Sequence, residues 1–139
     1  MSFADALLPA YFETHFRPSS SVSAWPEEFA VITAYATTGE TWSDAQNAAA
    51  DRALEAELRE TGRLPCRLTG FSPSTGHAEP GWAVELSWEA ACEIGRRYRQ
   101  DAVYFVRGDL LYVTCCDLNR RKLIPVGAFR ERVHPSSED

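Results

Sequence analysis

The sequence predicts an α+β fold, a two-layer sandwich in which two helices cover one face of an antiparallel sheet in the ferredoxin-like split βαβ arrangement. Three observations predict it: an apolar, β-branched run at residues 29–36, a helix-capping signal at Ser43, and the order strand, helix, strand, strand, helix, strand. A C-terminal hairpin is expected to extend the sheet by one more strand.

Length and composition indicate a single domain over residues 1–139. A chain of 139 residues with 45% hydrophobic and 24% charged residues can bury an ordinary core. We expect an N-terminal helix and loop at 1–24, an α+β core at 25–132 and a flexible tail at 133–139.

The first half of the chain is predicted to contain a short helix, a strand and a long helix. Residues 4–16 are expected to form the short helix, and residues 29–36 a buried strand. Ser43-Asp-Ala-Gln is a capping box, in which the serine and the glutamine each bond a free backbone amide. The long helix therefore begins at Ser43, and it ends near Thr61, just before a glycine.

The second half is predicted to contain strands, a second helix and a hairpin. A Gly-Asp pair between two apolar, alternating runs is a two-residue hairpin signal. The expected elements are, in order, strands at 64–71 and 82–87, a helix at 88–100, hairpin strands at 102–106 and 110–115, and a last strand at 122–126.

The hairpin register divides its residues between the two faces of the sheet, with Arg107 paired to Leu110. The set expected to meet the helices is Tyr104, Val106, Leu111, Val113 and Cys115. The opposite set contains a candidate interaction face, Phe105, Arg107, Leu110 and Tyr112. Because that face is too apolar to lie in water, the N-terminal helix, a second copy of the chain or another protein is expected to cover it.

The charge distribution argues against nucleic acids and membranes as partners. A formal net charge of −6 lacks the surplus of Lys and Arg that phosphates or anionic lipids require. Segment 96–132 is the exception, since it carries nine basic residues against four acidic ones. RNA binding through this segment is therefore kept as an alternative.

The N-terminus and the cysteines predict a cytoplasmic location. The first nine residues have no basic flank and include an acidic residue, unlike a signal peptide. The longest apolar run, residues 29–36, is far shorter than the ~20 residues of a transmembrane helix. Two isolated cysteines and one adjacent pair are typical of reduced thiols.

The sequence contains no catalytic signature, but one amide stands out. The three histidines are not at metal-ligand spacing and no cysteine has a nucleophile motif, so we expect no metal, no cofactor and no catalytic residue. Asn47 lies on the helix stripe that faces the sheet, where an unpaired amide would cost about 1 to 3 kcal/mol. Its side chain is therefore expected to bond either the backbone of the neighbouring loop or a ligand. In the second case the ligand would lie in a cleft bounded by Thr33, Tyr35, Asn47 and Gln100.

Three stretches follow one another in a recognisable order. They are Ile32-Thr-Ala-Tyr35 with Ser43-Asp-Ala-Gln-Asn47, then Glu79-Pro-Gly-Trp82, then Gly95-Arg-Arg-Tyr-Arg-Gln-Asp-Ala-Val103. In these stretches the chain resembles the bacterial domain-of-unknown-function family 3293, over about residues 8–115. The resemblance implies no activity.

The same resemblance marks particular positions of the chain. It implies that the family tends to keep the residues found here as Asn47, Glu79, Pro80, Gly95 and Gln100. The chain departs from the family at Ala36-Thr37, where Asn-Pro is usual, and at Arg99, where Gly is usual. Both departures flank the predicted cleft.

Three functional hypotheses follow from these observations. The first is a non-enzymatic binding or interaction protein that uses the open sheet face, either as a homodimer or with another protein. The second is an enzyme or small-ligand protein with a cleft near Asn47. The third is an RNA-binding module that uses residues 96–132.

Overall fold

The computed structural model describes residues 9–22, 24–36, 41–119 and 121–134. It contains two α-helices, α1 (Asp44–Glu60) and α2 (Trp88–Arg97), and two short 3₁₀ helices, Pro9–Phe12 and Phe129–Arg132. The strands are β1 (His15–Pro18), β2 (Glu28–Ile32), β3 (Cys66–Phe71), β4 (Ala78–Val84), β5 (Ala102–Arg107), β6 (Leu110–Cys115) and β7 (Leu123–Ala128). Neither α-helix has the length and apolar character needed to cross a membrane.

The helix boundaries follow the capping chemistry. The predicted capping box is confirmed, since the Ser43 hydroxyl accepts from the Gln46 amide and the Gln46 side chain accepts from the Ser43 amide. Helix α2 ends at Arg97, three residues before the predicted end. It ends there because Arg99 adopts a left-handed conformation, with φ of 60°, which stops the helical hydrogen-bond ladder.

The seven strands form one antiparallel sheet with the order β1-β3-β4-β2-β5-β6-β7. From β2 to β5 the chain follows the predicted order of strands and helices. The predicted hairpin register is confirmed, since Arg107 pairs with Leu110. Strand β4 begins at Ala78, four residues earlier than predicted, and so includes part of the expected turn.

The predicted two-layer, ferredoxin-like sandwich is wrong, because the sheet has seven strands and curls into a half-barrel with only two α-helices. Its two edges approach each other, since Phe16 of β1 bridges Val133 after β7 and the His134 amide donates to the Phe16 carbonyl at 2.8 Å. Curling gives the sheet an inner face that is filled by side chains, so it has apolar cores on both sides.

The predicted N-terminal helix is also corrected. Of residues 4–16, the first five lie outside the described residues, Pro9–Phe12 form a 3₁₀ helix, and His15 begins β1. A four-residue strand carries too few residues for a period-2 pattern, and it is held by its pairing to β3 rather than by local propensity. Residues 135–139 of the predicted tail lie outside the described residues.

The assignment of the two sheet faces is reversed with respect to the prediction. Phe105 and Val103 pack against the helices, in the core that also contains Leu54, whereas Val106 and Leu111 pack on the inner face. The pleat determines which residues share a face, but both faces are apolar here, so alternation alone did not indicate which one meets the helices.

The chain itself covers the inner face of the sheet. Phe16 from β1, Trp25 from the loop before β2 and Phe129 from the second 3₁₀ helix pack over Phe29. The Trp25 ring stacks on Phe29 with centroids 5.4 Å apart, and Phe129 meets Phe29 edge-on at 5.2 Å. Such pairs contribute about 0.5–1.5 kcal/mol beyond area burial.

Candidate functional site

The four residues of the predicted cleft meet around the segment that follows β2. The Asn47 Oδ1 accepts a hydrogen bond from the Ala36 amide at 2.9 Å. The Gln100 Nε2 donates to the Tyr35 carbonyl at 2.8 Å, and the Thr33 hydroxyl accepts from the Tyr35 amide at 3.1 Å. The structure therefore brings the four together, and their polar groups support the backbone of this segment.

The ends of the two helices position the amides. Asn47 lies in the first turn of α1, directly after the cap at Ser43. Gln100 follows the left-handed Arg99, and its own amide donates to the Gly95 carbonyl at 2.9 Å. The two side chains consequently bond neighbouring residues of the segment after β2, Asn47 at Ala36 and Gln100 at Tyr35.

A cavity of about 190 Å³ opens beside this segment, on the inner side of the sheet. Its apolar walls include Phe16, Val31, Leu68, Ala102 and Tyr104. Its more polar residues are Tyr11, Thr14, Thr33, Ser72, His77, Glu79 and Gln100. Of the four predicted ligand-binding residues, Thr33 and Gln100 line the cavity, whereas Tyr35 and Asn47 do not.

Two tyrosines form part of the cavity wall, and the sequence analysis did not identify them as site residues. The Tyr104 hydroxyl donates to the Tyr11 carbonyl at 2.6 Å, which fixes the first 3₁₀ helix against β5. Burial, followed by the nearby Asp101 and Glu79 carboxylates, raises the pKa of Tyr11 to about 12. Burial also raises the pKa of Tyr104, so both phenols are protonated at neutral pH.

Some of the polar groups at the mouth already use their hydrogen-bond donors within the protein, whereas some acceptors are unused in the part of the chain that the structure describes. Both donor positions of the Gln100 amide are used, by the carbonyls of Tyr35 and Tyr98. The Thr33 hydroxyl donates to the Pro80 carbonyl at 2.9 Å. Glu79 accepts from the His77 imidazole at 3.1 Å through one oxygen. The donors of Thr33 and Gln100 are therefore committed, whereas the Gln100 Oε1 and one Glu79 oxygen have no hydrogen-bond partner among the described residues.

The candidate interaction face is only partly exposed. Phe105 is fully buried beneath the helices. Arg107 is exposed and its Nε donates to Glu28 at 2.9 Å, Leu110 is 52% exposed, and Tyr112 is half-buried. An interaction through the exposed members stays a prediction.

The basic segment is largely neutralised by neighbouring carboxylates. Five of its arginines form ion pairs: Arg96 and Arg121 with Glu93, Arg97 with Glu57, Arg107 with Glu28, and Arg130 with Asp109. Arg120 lies outside the described residues. Arginines engaged in this way present less net charge to a phosphate backbone.

A buried polar cluster joins α1 to the sheet. Asp51 accepts from Arg67 at 2.6 and 2.9 Å and from the Trp82 indole at 3.1 Å, and the Arg67 guanidinium lies 3.8 Å from the Trp82 ring centroid. The hydrogen bond to Asp51 raises the pKa of Arg67. The signal for this cluster in the sequence is weak: Asp51 lies one turn after Asn47 on the same helix stripe, but Arg67 and Trp82 are 16 and 31 residues further along the chain.

Two cysteines that are distant in sequence also meet. Cys92 of α2 and Cys116 after β6 are both buried, and the interaction between the two thiols, together with burial, raises the pKa of Cys116. A Cβ at Gly95 would lie 2.6 Å from the Cys116 sulfur, so glycine lets the strand end approach α2. All four cysteines are free thiols.

Within residues 9–22, 24–36, 41–119 and 121–134, no group of three or more His, Cys, Asp or Glu side chains is arranged to hold a metal ion. His15 and His134 do meet, with Nδ1 and Nε2 2.8 Å apart, where the two sheet edges approach. They supply only two of the three or four protein ligands that a metal site commonly has.

Comparison with known proteins gives one match. The model of the family described as "Protein of unknown function (DUF3293)" matches residues 32–103, which is 72 of the 139 residues. No curated protein and no solved structure matches significantly. The matched segment contains both α-helices and all four residues of the predicted cleft. The chain belongs to this family of proteins of unknown function, DUF3293.

Proposed function

We propose that the chain is a non-enzymatic binding protein that holds a small, largely apolar ligand in the cavity beside β2. The observation that carries this proposal is the combination of an apolar wall with a few polar groups at the mouth, which is typical of ligand pockets. A cavity of about 190 Å³ is somewhat larger than the roughly 150 Å³ cavity that accepts benzene. The expected ligand therefore has about the size of one substituted aromatic ring.

Binding is favoured over catalysis by the state of the polar groups around the cavity. A general base must be within hydrogen-bond reach of the group that it activates. Ser72 and His77 both line the cavity, but the Ser72 hydroxyl contacts Ser74 while His77 contacts Glu79. No nucleophile among the described lining residues is hydrogen-bonded to a base.

The other two hypotheses lose part of their motivation. The apolar face that suggested a homodimer or protein partner contains Phe105, which is buried beneath the helices, and the opposite face is packed against Phe16, Trp25 and Phe129 of the same chain. Five of the arginines that suggested RNA binding are engaged with carboxylates. Light scattering would test for a dimer, and a low-salt titration with single-stranded RNA would test for RNA binding.

The proposal is tested with indole and 2-phenylethanol as probes in a thermal-unfolding assay. With a dissociation constant on the order of 1 mM, 10 mM probe stabilises the fold by about 1.4 kcal/mol. For a domain of this size that corresponds to a Tm increase of roughly 3–6 °C.

Two variants locate the binding. Ala102→Leu fills part of the cavity from β5, so the probes should no longer raise Tm. Ala49→Leu adds the same side chain at an exposed position of α1 and should keep the full increase. No Tm increase in the parent protein, or an equal increase in the Ala102→Leu variant, would contradict the proposal.

A further inference from the structure

We propose that the ligand carries a protonated amine, which lies at the mouth of the cavity against Glu79 while the apolar body fills the interior. This inference rests on the proposed binding function and specifies the chemical class of the ligand.

The charges around the cavity favour a cation over an anion. Among the described residues that line it, Glu79 is the acid and His77 the one residue that can become a cation, and neither Lys nor Arg is present. One carboxylate oxygen of Glu79 contacts His77, and the other has no hydrogen-bond partner within the described part of the chain. An ammonium group would pair with this oxygen, whereas a carboxylate would be repelled.

A second carboxylate adds to the negative potential at the mouth. Asp101 precedes β5, and together with Glu79 it acts on the Tyr11 phenol, where both favour the protonated form. A cationic group bound next to the Tyr11 hydroxyl would therefore be attracted by both carboxylates.

Two arginines close to the first 3₁₀ helix and β3, Arg132 and Arg17, are directed at other groups. Arg132 donates to the carbonyls of Phe12 and Thr14 at 2.9 and 3.0 Å, behind the first 3₁₀ helix. Arg17 lies 4.4 Å from the centroid of the Phe71 ring. Neither arginine lines the cavity, so neither offers its guanidinium to a bound anion.

Hydrogen bonding indicates the same ligand class. The side-chain Nε2 of Gln100 donates both of its hydrogens to backbone carbonyls. The Oε1 of the same side chain is an acceptor that has no hydrogen-bond partner among the described residues. The Thr33 hydroxyl donates to a carbonyl as well. An ammonium group brings three donors and needs acceptors, whereas a carboxylate needs the donors that Gln100 and Thr33 have already committed.

The aromatic wall suits the same group. Tyr11 and Tyr104 line the cavity with ring centroids 6.4 Å apart, and Phe71 lies on the β3 side. Faces of such rings attract ammonium groups within about 6 Å. The body of the ligand and the carbons next to the amine would contact these rings.

The test compares three probes with a similar phenylalkyl body: 2-phenylethylamine, 2-phenylethanol and 3-phenylpropanoate. Dissociation constants are measured by NMR titration at low salt and pH 8, where alkylamines are protonated and imidazoles are generally neutral. We expect the amine to bind about 3- to 10-fold more tightly than the alcohol, and the carboxylate most weakly.

Two variants assign the preference to Glu79. Glu79→Gln should reduce the amine to the affinity of the alcohol and leave the alcohol unchanged. Glu85→Gln removes an exposed carboxylate that does not line the cavity and should preserve the preference.

The outcomes separate this inference from the proposed function. Equal binding of the three probes, or a preference that survives Glu79→Gln, would overturn the amine assignment and leave the binding function standing. If none of the three probes binds, the proposed function itself is wrong.

Discussion

The cluster of Asp51, Arg67 and Trp82 makes a strong prediction about stability. Asp51 is 8% exposed and accepts three hydrogen bonds from the other two side chains, which connect α1 to strands β3 and β4. The substitution Asp51→Ala removes the acceptor and leaves both donors behind. We expect it to lower the free energy of unfolding by about 2–5 kcal/mol.

This magnitude has two contributions. The Trp82 indole N–H, on a residue that is 7% exposed, loses its partner, which costs about 1–3 kcal/mol. The Arg67 guanidinium loses its counter-ion, but its side chain is 28% exposed and water can solvate it. Its share is therefore well below the 3–5 kcal/mol of a fully buried broken pair, at about 1–2 kcal/mol.

A double-mutant cycle in urea tests the coupling directly. Arg67→Met keeps an aliphatic chain over the indole and removes the charge, so the cycle with Asp51→Ala should give a coupling energy of about 1–3 kcal/mol. The exposed pair of Arg59 and Glu55 on α1 is the control, and Glu55→Ala should cost below about 0.5 kcal/mol. A loss under about 1 kcal/mol for Asp51→Ala, or no coupling, would refute the reasoning.

Three further predictions concern the caps and the closure of the sheet. Asn47→Ala should lower the free energy of unfolding by about 1–2 kcal/mol because the amide after β2 loses its acceptor, whereas Asn47→Asp keeps an acceptor and should cost less in the same urea titration. Arg99→Gly should raise the free energy of unfolding by about 0.5–1 kcal/mol, and Tm with it, because glycine adopts φ of 60° without strain. Arg96→Gly, inside α2, should lower both. Burial and then His134 lower the pKa of His15, so the folded state binds fewer protons than the unfolded state. The free energy of unfolding should therefore fall as the pH drops through and below the ordinary histidine range. His15→Gln should flatten this pH dependence in Tm measurements from pH 8 to 5.

Each result has a contrary outcome. Equal losses for the two Asn47 variants would show that the acceptor does not account for the effect. A lower Tm for Arg99→Gly would mean that the arginine side chain contributes more than the backbone strain costs. An unchanged pH dependence after His15→Gln would assign the acid sensitivity to other groups.

The elements with strong local chemistry were predictable from the sequence. The capping box at Ser43 defined the start of α1, and the Gly-Asp pair defined the β5–β6 hairpin and its register, because both signals act within a few residues. The family resemblance was also confirmed. Of the four residues of the predicted cleft, Thr33 and Gln100 line the cavity and Tyr35 and Asn47 do not, and a role of the four in ligand binding stays a prediction.

The features that were not predicted from the sequence depend on contacts between residues that are distant along the chain. Strand β1 exists because it pairs with β3, and the wall of the cavity is made where Tyr104 bonds Tyr11, 93 residues away. The reversed sheet faces show the same limitation, since two apolar faces give one alternating pattern. Local propensity contains little information about such contacts.

The closure of the two sheet edges also affects the order in which the chain folds. His15 and His134 meet across 119 residues, and Arg132 bonds the Phe12 carbonyl across 120. Contacts of this separation form late, because the chain entropy lost in closing them is regained only when the intervening strands are in place. During synthesis Phe16 and Trp25 are made early and Phe129 late, so we expect the cover over the inner face of the sheet to stay incomplete until Phe129 emerges from the ribosome.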